Sequence, residues 1–147
     1  MLFQVVPLVV VEAVLVVLLF VTKPDALFRE IYQRATPQSE ILHYKEGKVA
    51  NVVVYDFEAG YKDLHLNGIE EASSRLWHVQ LFKLLGVLPM MVHEDPGEAL
   101  MIAFGAGMSA GAAIQQADSL EVVDLNPDIH GPAEVFRREN LDVIDSP

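Results

Sequence analysis

The feature that most constrains the fold is the stretch Ala99–Pro127, ALMIAFGAGMSAGAAIQQADSLEVVDLNP. An apolar run leads into a glycine-spaced turn, an alanine-rich segment follows, and a second apolar run ends at Asp124. This order predicts a strand, a tight turn, a helix over about Met108–Ala117 and a second strand. A strand–helix–strand unit places its two strands side by side and parallel. The stretch therefore predicts an α/β domain built on a parallel sheet.

The glycine turn has the pattern of a ligand loop. Gly105 and Gly107, with Ala106 between them, let the backbone turn sharply and approach a ligand where a side chain would collide. Asp124, followed by Leu125, comes 19 residues after Gly105, where a carboxylate can accept the hydroxyl protons of a ribose. The small residues could instead serve only close helix–sheet packing. The residues alone also leave open whether the ligand is a nicotinamide, a flavin or an adenosylmethionine-type compound.

The N-terminal residues Leu2–Val21 form an apolar run in which only Gln4 and Glu12 are polar. At about 1.5 Å per residue, a helix of this length spans the roughly 30 Å hydrocarbon core of a bilayer. No basic residue precedes the run and no small-residue cleavage site follows it, which argues against a signal peptide. Because the first basic residue is Lys23, the pattern predicts a transmembrane helix over residues 1–22 with the rest of the chain in the cytoplasm.

The remaining chain divides into three segments. Residues 23–39 have the pattern of an amphipathic helix and a linker. Residues 40–70 alternate short apolar runs with turn signals, which predicts a small antiparallel β meander. Residues 71–147 begin with a helix whose Trp77 and leucine stripe are expected in the core, and continue as a truncated Rossmann-like nucleotide-binding domain. A parallel sheet of only two strands is incomplete, so we expect the chain to be part of a longer protein.

Charge and composition exclude several functions. The net charge is −11, and no Lys or Arg occurs between Lys83 and Arg137. A nucleic-acid surface needs clustered cations, so we expect no nucleic-acid partner. The chain has no cysteine, which excludes thiol catalysis and thiolate metal sites, and its histidines lack metal-ligand spacing. We expect no metal.

Several segments, in order and spacing, resemble the spermidine/spermine synthase (aminopropyltransferase) family. The resemblance covers about Glu40–Pro147 and is closest to the bacterial branch in which this domain follows transporter-like membrane helices. It implies a β domain followed by a Rossmann-like domain similar to adenosylmethionine methyltransferases, located at the bacterial inner membrane with its soluble part in the cytoplasm. It also implies a homodimer. The segments are ILHYKEGKVANVVVYDF, LHLNGIEEAS, LFKLLGVLPMMVHEDPGEALMIAFGAGMSAGAA and LEVVDLNPDI.

Family members transfer an aminopropyl group from decarboxylated S-adenosylmethionine to putrescine or a longer amine, and release methylthioadenosine. They require no metal and no tightly bound cofactor. The resemblance therefore implies that the longer protein is an aminopropyltransferase of polyamine biosynthesis and that this chain carries its nucleoside-binding half. The family's catalytic aspartate falls beyond Pro147, so the catalytic residues are unassigned.

The resemblance assigns roles to the glycine loop residue by residue. Gly105 and Gly107 fall on the family's glycine loop, and Asp124 falls on the acidic residue that holds the adenosine ribose. The family's amine-contacting aspartate falls on Ala106, and its first glycine falls on Ala103. The nucleoside half of the site is thus matched, and the amine half is not.

The helix before the loop and the segment that precedes this helix supply the candidates for the amine half. The family's Tyr-His pair falls on Leu81 and Phe82, whereas His78 and Gln80 are candidates for a substrate pocket. Glu70 and Glu71 are candidates for an amine pocket, with a solvated charge pair as the favoured interpretation.

Two further functions remain open. One is a non-catalytic module that senses a nucleoside or a polyamine and is attached to a membrane transporter domain. The other is the half-domain of a nicotinamide-dependent oxidoreductase, since dinucleotides bind in the same kind of crevice.

Overall fold

The computed structural model describes residues 10–14, 16–18 and 24–145 of the 147-residue chain. The chain forms two compact units, Met1–Thr36 and Pro37–Pro147. In the first unit, helix α1 comprises Pro24–Ala35. Arg34 of α1 pairs with Glu30, one turn earlier, at 2.5 Å.

The second unit contains an antiparallel sheet, a parallel strand pair and several short helices. In chain order its elements are β1 (Ser39–Glu46), β2 (Asn51–Phe57), β3 (Tyr61–Leu66), β4 (Ile69–Ser73), α2 (Leu76–Val92), β5 (Glu98–Ile102), α3 (Met108–Ala113), β6 (Ser119–Val123), α4 (His130–Val135), α5 (Arg137–Asn140) and a 3-10 turn (Val143–Asp145).

The predicted transmembrane helix over residues 1–22 is wrong. A helix needs about 20 consecutive apolar residues to cross a bilayer. In the described parts of the chain, no helix combines that length with sufficient apolar character. The described helical residues of this range are 10–14 and 16–18, and the other residues of the predicted span lie outside the described residues. The cytoplasmic location of the rest of the chain stays a prediction.

Strands β1 to β4 pair in chain order as an antiparallel meander. Val52, Val53 and Val54 of β2 are fully buried, which explains the unbroken apolar run in this strand. The buried cluster of the unit joins Leu64 of β3 to Phe136 near the chain's end. The meander and the segments that follow it therefore share one core.

The β3–β4 pair contains a β-bulge that the sequence pattern did not reveal. Leu64 pairs with Ala72, but the next pair is His65 with Glu70. Glu71 is therefore the extra residue of β4, without a partner on β3. A bulge changes the direction in which neighbouring side chains point.

The parallel pairing predicted from the glycine turn is confirmed. β5 and β6 are parallel, with Glu98 opposite Ser119 and Ile102 opposite Val123. The helix between them, α3, is shorter than predicted and ends at Ala113. The chain turns directly after it, since the Gln116 N–H donates to the Ala113 carbonyl at 2.9 Å.

Two glycines let helices pack against α3 with their backbones in contact. A Cβ added to Gly86 of α2 would lie 2.1 Å from the Ser109 carbonyl oxygen. A Cβ added to Gly111 of α3 would lie 1.9 Å from the Asn140 carbonyl oxygen. The Ser109 hydroxyl also donates to the Phe82 carbonyl at 2.8 Å. These contacts fix α3, and with it the glycine loop, against α2 and α5.

The prediction that Trp77 and the leucine stripe of α2 are core is wrong. Trp77 is 58% exposed in the described structure, and the stripe leucines are exposed as well. The helix instead packs through Gly86 together with the partly buried Val79 and Phe82. Because α2 is apolar on both faces, helical spacing alone does not identify the buried face. The exposed leucines are Leu76, Leu81, Leu84, Leu85 and Leu88.

His43 of β1 lies against the start of α4. A Cβ on Gly131 would come within 2.5 Å of the His43 ring, and the ring Nε2 is buried without a hydrogen-bond partner among the described residues. Burial lowers the pKa of His43 below its ordinary value; Asp128 opposes this shift and Lys45 adds to it. Protonation of this ring is therefore less favourable in the folded chain than in the unfolded chain.

We expect His43 to make the folded chain less stable in mild acid. The ordinary pKa is 6.5 and the folded pKa is lower, so below about pH 6.5 the unfolded chain binds more protons. The contribution of His43 to the pH dependence therefore makes the free energy of unfolding highest above that pH. It should decrease as the pH falls towards the folded pKa. Urea unfolding at pH 5.5 and 7.5 should show a smaller difference for His43→Gln than for wild type. A control, His93→Gln, should behave like wild type; equal pH dependence in all three proteins would contradict the assignment.

Candidate functional site

The loop between β5 and α3 has a strained backbone. Ala103, Gly105 and Gly107 all have positive φ, at 76°, 57° and 80°. For a residue with a Cβ this conformation costs on the order of 1 kcal/mol or more. Ala103 nevertheless adopts it, at the position where the resemblance places a family glycine. Its N–H donates to the Val123 carbonyl at 2.8 Å, which ties the loop to the end of β6.

The glycines of this region have different roles. A Cβ added to Gly105 would meet nothing within 4 Å, whereas one added to Gly107 would lie 2.9 Å from the Phe104 ring. Gly111 is packed against the Asn140 backbone. The packing interpretation is therefore confirmed at Gly107 and Gly111, whereas Gly105 borders open space and its role as a ligand loop stays a prediction.

Asp124 lies directly after β6 and faces the glycine loop. Its Oδ2 accepts the backbone N–H of Phe104 at 2.7 Å, and its Oδ1 accepts the backbone N–H of Asn126 at 2.7 Å. Hydrogen bonds from N–H groups to a carboxylate are among the stronger ones in proteins. Asp124 thus joins the ends of both parallel strands and has a fixed orientation.

Two cavities meet at this carboxylate, and we call them together the Asp124 crevice. The smaller, of about 310 Å³, lies beside the glycine loop and is lined by Gly105 and Ala106. The larger, of about 490 Å³, lies beside β6. Phe104, Asp124 and Ile129 line both cavities. Their sizes are in the range of pockets for small molecules.

Asn126 lines the larger cavity and contains a buried donor without a partner among the described residues. It is only 5% exposed, and its Oδ1 accepts the backbone N–H of Asp128 at 3.1 Å. Its Nδ2 is buried without a hydrogen-bond partner in the described part of the chain. A buried amide normally finds a partner, and the described residues supply none for this group.

Asn140 fixes the position of the glycine loop through a buried hydrogen bond, a role that the sequence did not indicate. It is fully buried, and its Nδ2 donates to the Ala106 carbonyl at 3.1 Å and to the Ala133 carbonyl at 2.9 Å. These bonds connect α5, α4 and the loop. Within the charged stretch FRREN, the asparagine resembles an ordinary surface residue, and no local signal distinguishes it.

Of the other residues predicted for nucleoside binding or the substrate pocket, only Ala106 lies at the crevice in the described part of the chain. Ala106 lines the smaller cavity but is buried and apolar, whereas Leu125 is 84% exposed. Gln80 is exposed, and His78 lies near Glu70, with 3.5 Å between His78 Nε2 and Glu70 Oε1. Neither Gln80 nor His78 lines the two cavities. Their roles in ligand binding stay predictions.

A separate polar cluster lies on the meander. Asp63, His65 and Glu70 place one ligand atom each within 4.8 Å of the others. Arg75 already occupies the space between the acids, since its Nη2 lies 3.1 Å from Asp63 Oδ2 and 2.7 Å from Glu70 Oε2. The guanidinium therefore supplies the positive charge of this cluster, which functions as an ion-pair network.

No known family model matches the chain, and no curated protein is similar to it in sequence. Solved structures are similar in fold. The crystal structure of spermidine synthase from Thermotoga maritima has a TM-score of 0.64 and 14% identity, over 73% of this chain and 38% of that chain. A crystal structure of spermidine synthase in complex with the transition-state analogue AdoDATO gives the same values. The chain spans about two fifths of the length of these structures. The resemblance found in the sequence is thus confirmed at the level of the fold.

Proposed function

We propose that this chain belongs to the spermidine synthase family and carries the nucleoside-binding half of an aminopropyltransferase. In this proposal the Asp124 crevice holds the adenosyl group of decarboxylated S-adenosylmethionine, and the aminopropyl group passes to a polyamine such as putrescine. The observation that carries the proposal is the position of Asp124, at the carboxyl end of β6 and on the wall of both cavities. The likeness in fold to spermidine synthase supports it.

The chemistry of the crevice suits an adenosyl ligand. Each oxygen of the Asp124 carboxylate accepts one backbone N–H and keeps a second lone pair that can accept a ribose hydroxyl. The Phe104 ring offers an apolar surface to the adenine. The assignment to a membrane-fused branch is not part of the proposal, and the homodimer stays a prediction.

Aminopropyl transfer also needs a base. The amine nitrogen attacks the carbon next to the sulfonium, the C–S bond breaks, and methylthioadenosine leaves as a neutral thioether. The attacking nitrogen must lose a proton to a general base. We do not assign this role to Asp124, because the proposal directs its remaining lone pairs to the ribose hydroxyls. By resemblance, the base is expected beyond Pro147.

Ala106 favours a second candidate function, a non-catalytic module that senses the nucleoside or the polyamine. The resemblance expects an amine-contacting aspartate at this position. Ala106 is 4% exposed, and its methyl group provides no charge for an ammonium. A site that holds the nucleoside without orienting the amine would bind without transferring.

Binding and turnover together test the proposal. We expect titration calorimetry to show that the full chain binds methylthioadenosine more tightly than NAD. Chromatography of reactions with decarboxylated S-adenosylmethionine and putrescine then measures release of methylthioadenosine. Because the base is expected beyond Pro147, we expect this chain to bind without turnover, and turnover would contradict that position of the base. A longer protein that includes the base position and binds without turnover would support the sensing module. A preference for NAD, or no binding of methylthioadenosine, would overturn the proposal.

A further inference from the structure

The smaller cavity is lined by a second acidic residue besides Asp124. Glu71 of β4 lines this cavity together with its neighbour Ala72. Consecutive residues of a regular strand point to opposite faces of the sheet, so they do not normally line one cavity. The β-bulge at Glu71 removes this restriction, since Leu64 pairs with Ala72 and His65 pairs with Glu70. The bulge therefore brings an acidic residue to the glycine loop.

The two adjacent glutamates have different surroundings. Glu70 is engaged by Arg75 at 2.7 Å and lies 3.5 Å from His78 Nε2. Glu71 is exposed, and within residues 24–145 its carboxylate makes no hydrogen bond or ion pair. The interpretation of both residues as one solvated charge pair is thus too simple. Glu71 alone has a carboxylate that is free for a ligand.

The charges around the cavity favour a cation. Its lining residues, all within the described part of the chain, include Glu71 and Asp124 but no Lys or Arg. Asp124 accepts the backbone N–H groups of Phe104 and Asn126, and the proposed function assigns its remaining lone pairs to the ribose hydroxyls. Ala106, in the loop, is apolar. A positive group that enters this cavity would therefore find its unused acceptor at Glu71.

We propose that Glu71 recognises an ammonium group of the ligand, and that the site thereby selects cationic over neutral adenosyl compounds. The inference rests on the proposed function and identifies the group that determines its substrate class. A ligand covers the exposed carboxylate when it enters the cavity, which strengthens a charge-assisted hydrogen bond relative to one in open water. Glu71 thus provides the negative charge that Ala106 does not provide.

Two probes separate charge recognition from nucleoside binding. Methylthioadenosine is neutral, and decarboxylated S-adenosylmethionine carries an ammonium and a sulfonium. We expect calorimetry on the full chain to show that Glu71→Gln weakens binding of the cationic compound by about tenfold. The affinity for methylthioadenosine should be unchanged, and the effect should decrease as salt is added. Glu58→Gln, in the exposed turn between β2 and β3, removes the same charge away from the cavity and should have no effect.

The outcomes separate this inference from the function on which it rests. Equal affinities of wild type and Glu71→Gln for the cationic compound would overturn the inference and leave the proposed function intact. An equal loss for both probes would also overturn it, because the residue would then act on the structure of the site. Failure of the wild-type chain to bind either probe would overturn both proposals. Circular dichroism of the variant checks that the fold is retained.

Discussion

Asp124→Ala is expected to weaken binding of methylthioadenosine by about a hundredfold and to lower the free energy of unfolding by about 3 kcal/mol. The carboxylate accepts two backbone N–H bonds at 2.7 Å, from Phe104 and Asn126, so its removal leaves both donors without their partner. The same change removes the proposed acceptor for the ribose hydroxyls. Titration calorimetry measures the first effect, and urea unfolding measures the second.

A conservative variant separates the structural from the binding effect. Asp124→Asn keeps one carbonyl oxygen, so it can accept only one of the two backbone bonds, and its NH₂ group opposes the other donor. We expect an intermediate loss of stability with a binding loss close to that of alanine. Glu121→Ala, on an exposed position of the same strand, should change neither quantity. A folded Asp124→Asn that binds methylthioadenosine like wild type would rule out the ribose assignment.

Gly111→Ala is expected to lower the free energy of unfolding by about 4 kcal/mol or to prevent folding. Alanine has a higher helix propensity than glycine by about 1 kcal/mol, so the substitution would stabilise α3 if space were available. The added Cβ, however, would lie 1.9 Å from the Asn140 carbonyl oxygen, and neither backbone can move without separating α3 from α5. The steric cost of the added Cβ is therefore larger than the gain in helix propensity, so the substitution should lower the free energy of unfolding.

The matched control for this substitution is Gly60→Ala in the β2–β3 turn. Gly60 has a φ of 84° with nothing within 4 Å of an added Cβ, so only backbone strain opposes the change. We expect a loss of about 1 kcal/mol. Urea unfolding of both variants makes the comparison. A similar loss at the two positions would indicate that the contact between Gly111 and Asn140 does not determine stability.

The local pattern predicted the second unit well where neighbours in sequence are also neighbours in space. Alternating apolar runs and turn signals predicted the meander, and the glycine turn between two apolar runs predicted the parallel pair of β5 and β6. The pattern failed on α2 because this helix is apolar on both faces. Tertiary contacts determine which face is buried, namely that of Gly86 with Ser109 and those of Val79 and Phe82 with the core. Apolar character likewise predicted a membrane span that no described helix forms.

The candidate site was predictable in part for the same reason. Gly105 and Asp124 belong to one strand–turn–helix–strand unit, so their spacing in sequence fixes their proximity at the ends of β5 and β6. Asn140 reaches the Ala106 carbonyl from 34 residues away, through the packing of α5 on α3. Glu71 reaches the cavity through a register shift on β4. Contacts of this kind leave no period or motif in the sequence.

The sequence by itself determined the parallel unit, its glycine turn and the carboxylate at the end of β6, because backbone sterics and short-range spacing dictate them. Tertiary structure alone decided which glycine borders open space, which face of α2 is buried, and which of two adjacent glutamates lines the cavity. Those outcomes depend on packing and strand register between segments far apart in the chain. For the two glutamates a one-residue bulge is enough, since it moves a side chain from one face of a sheet towards the other.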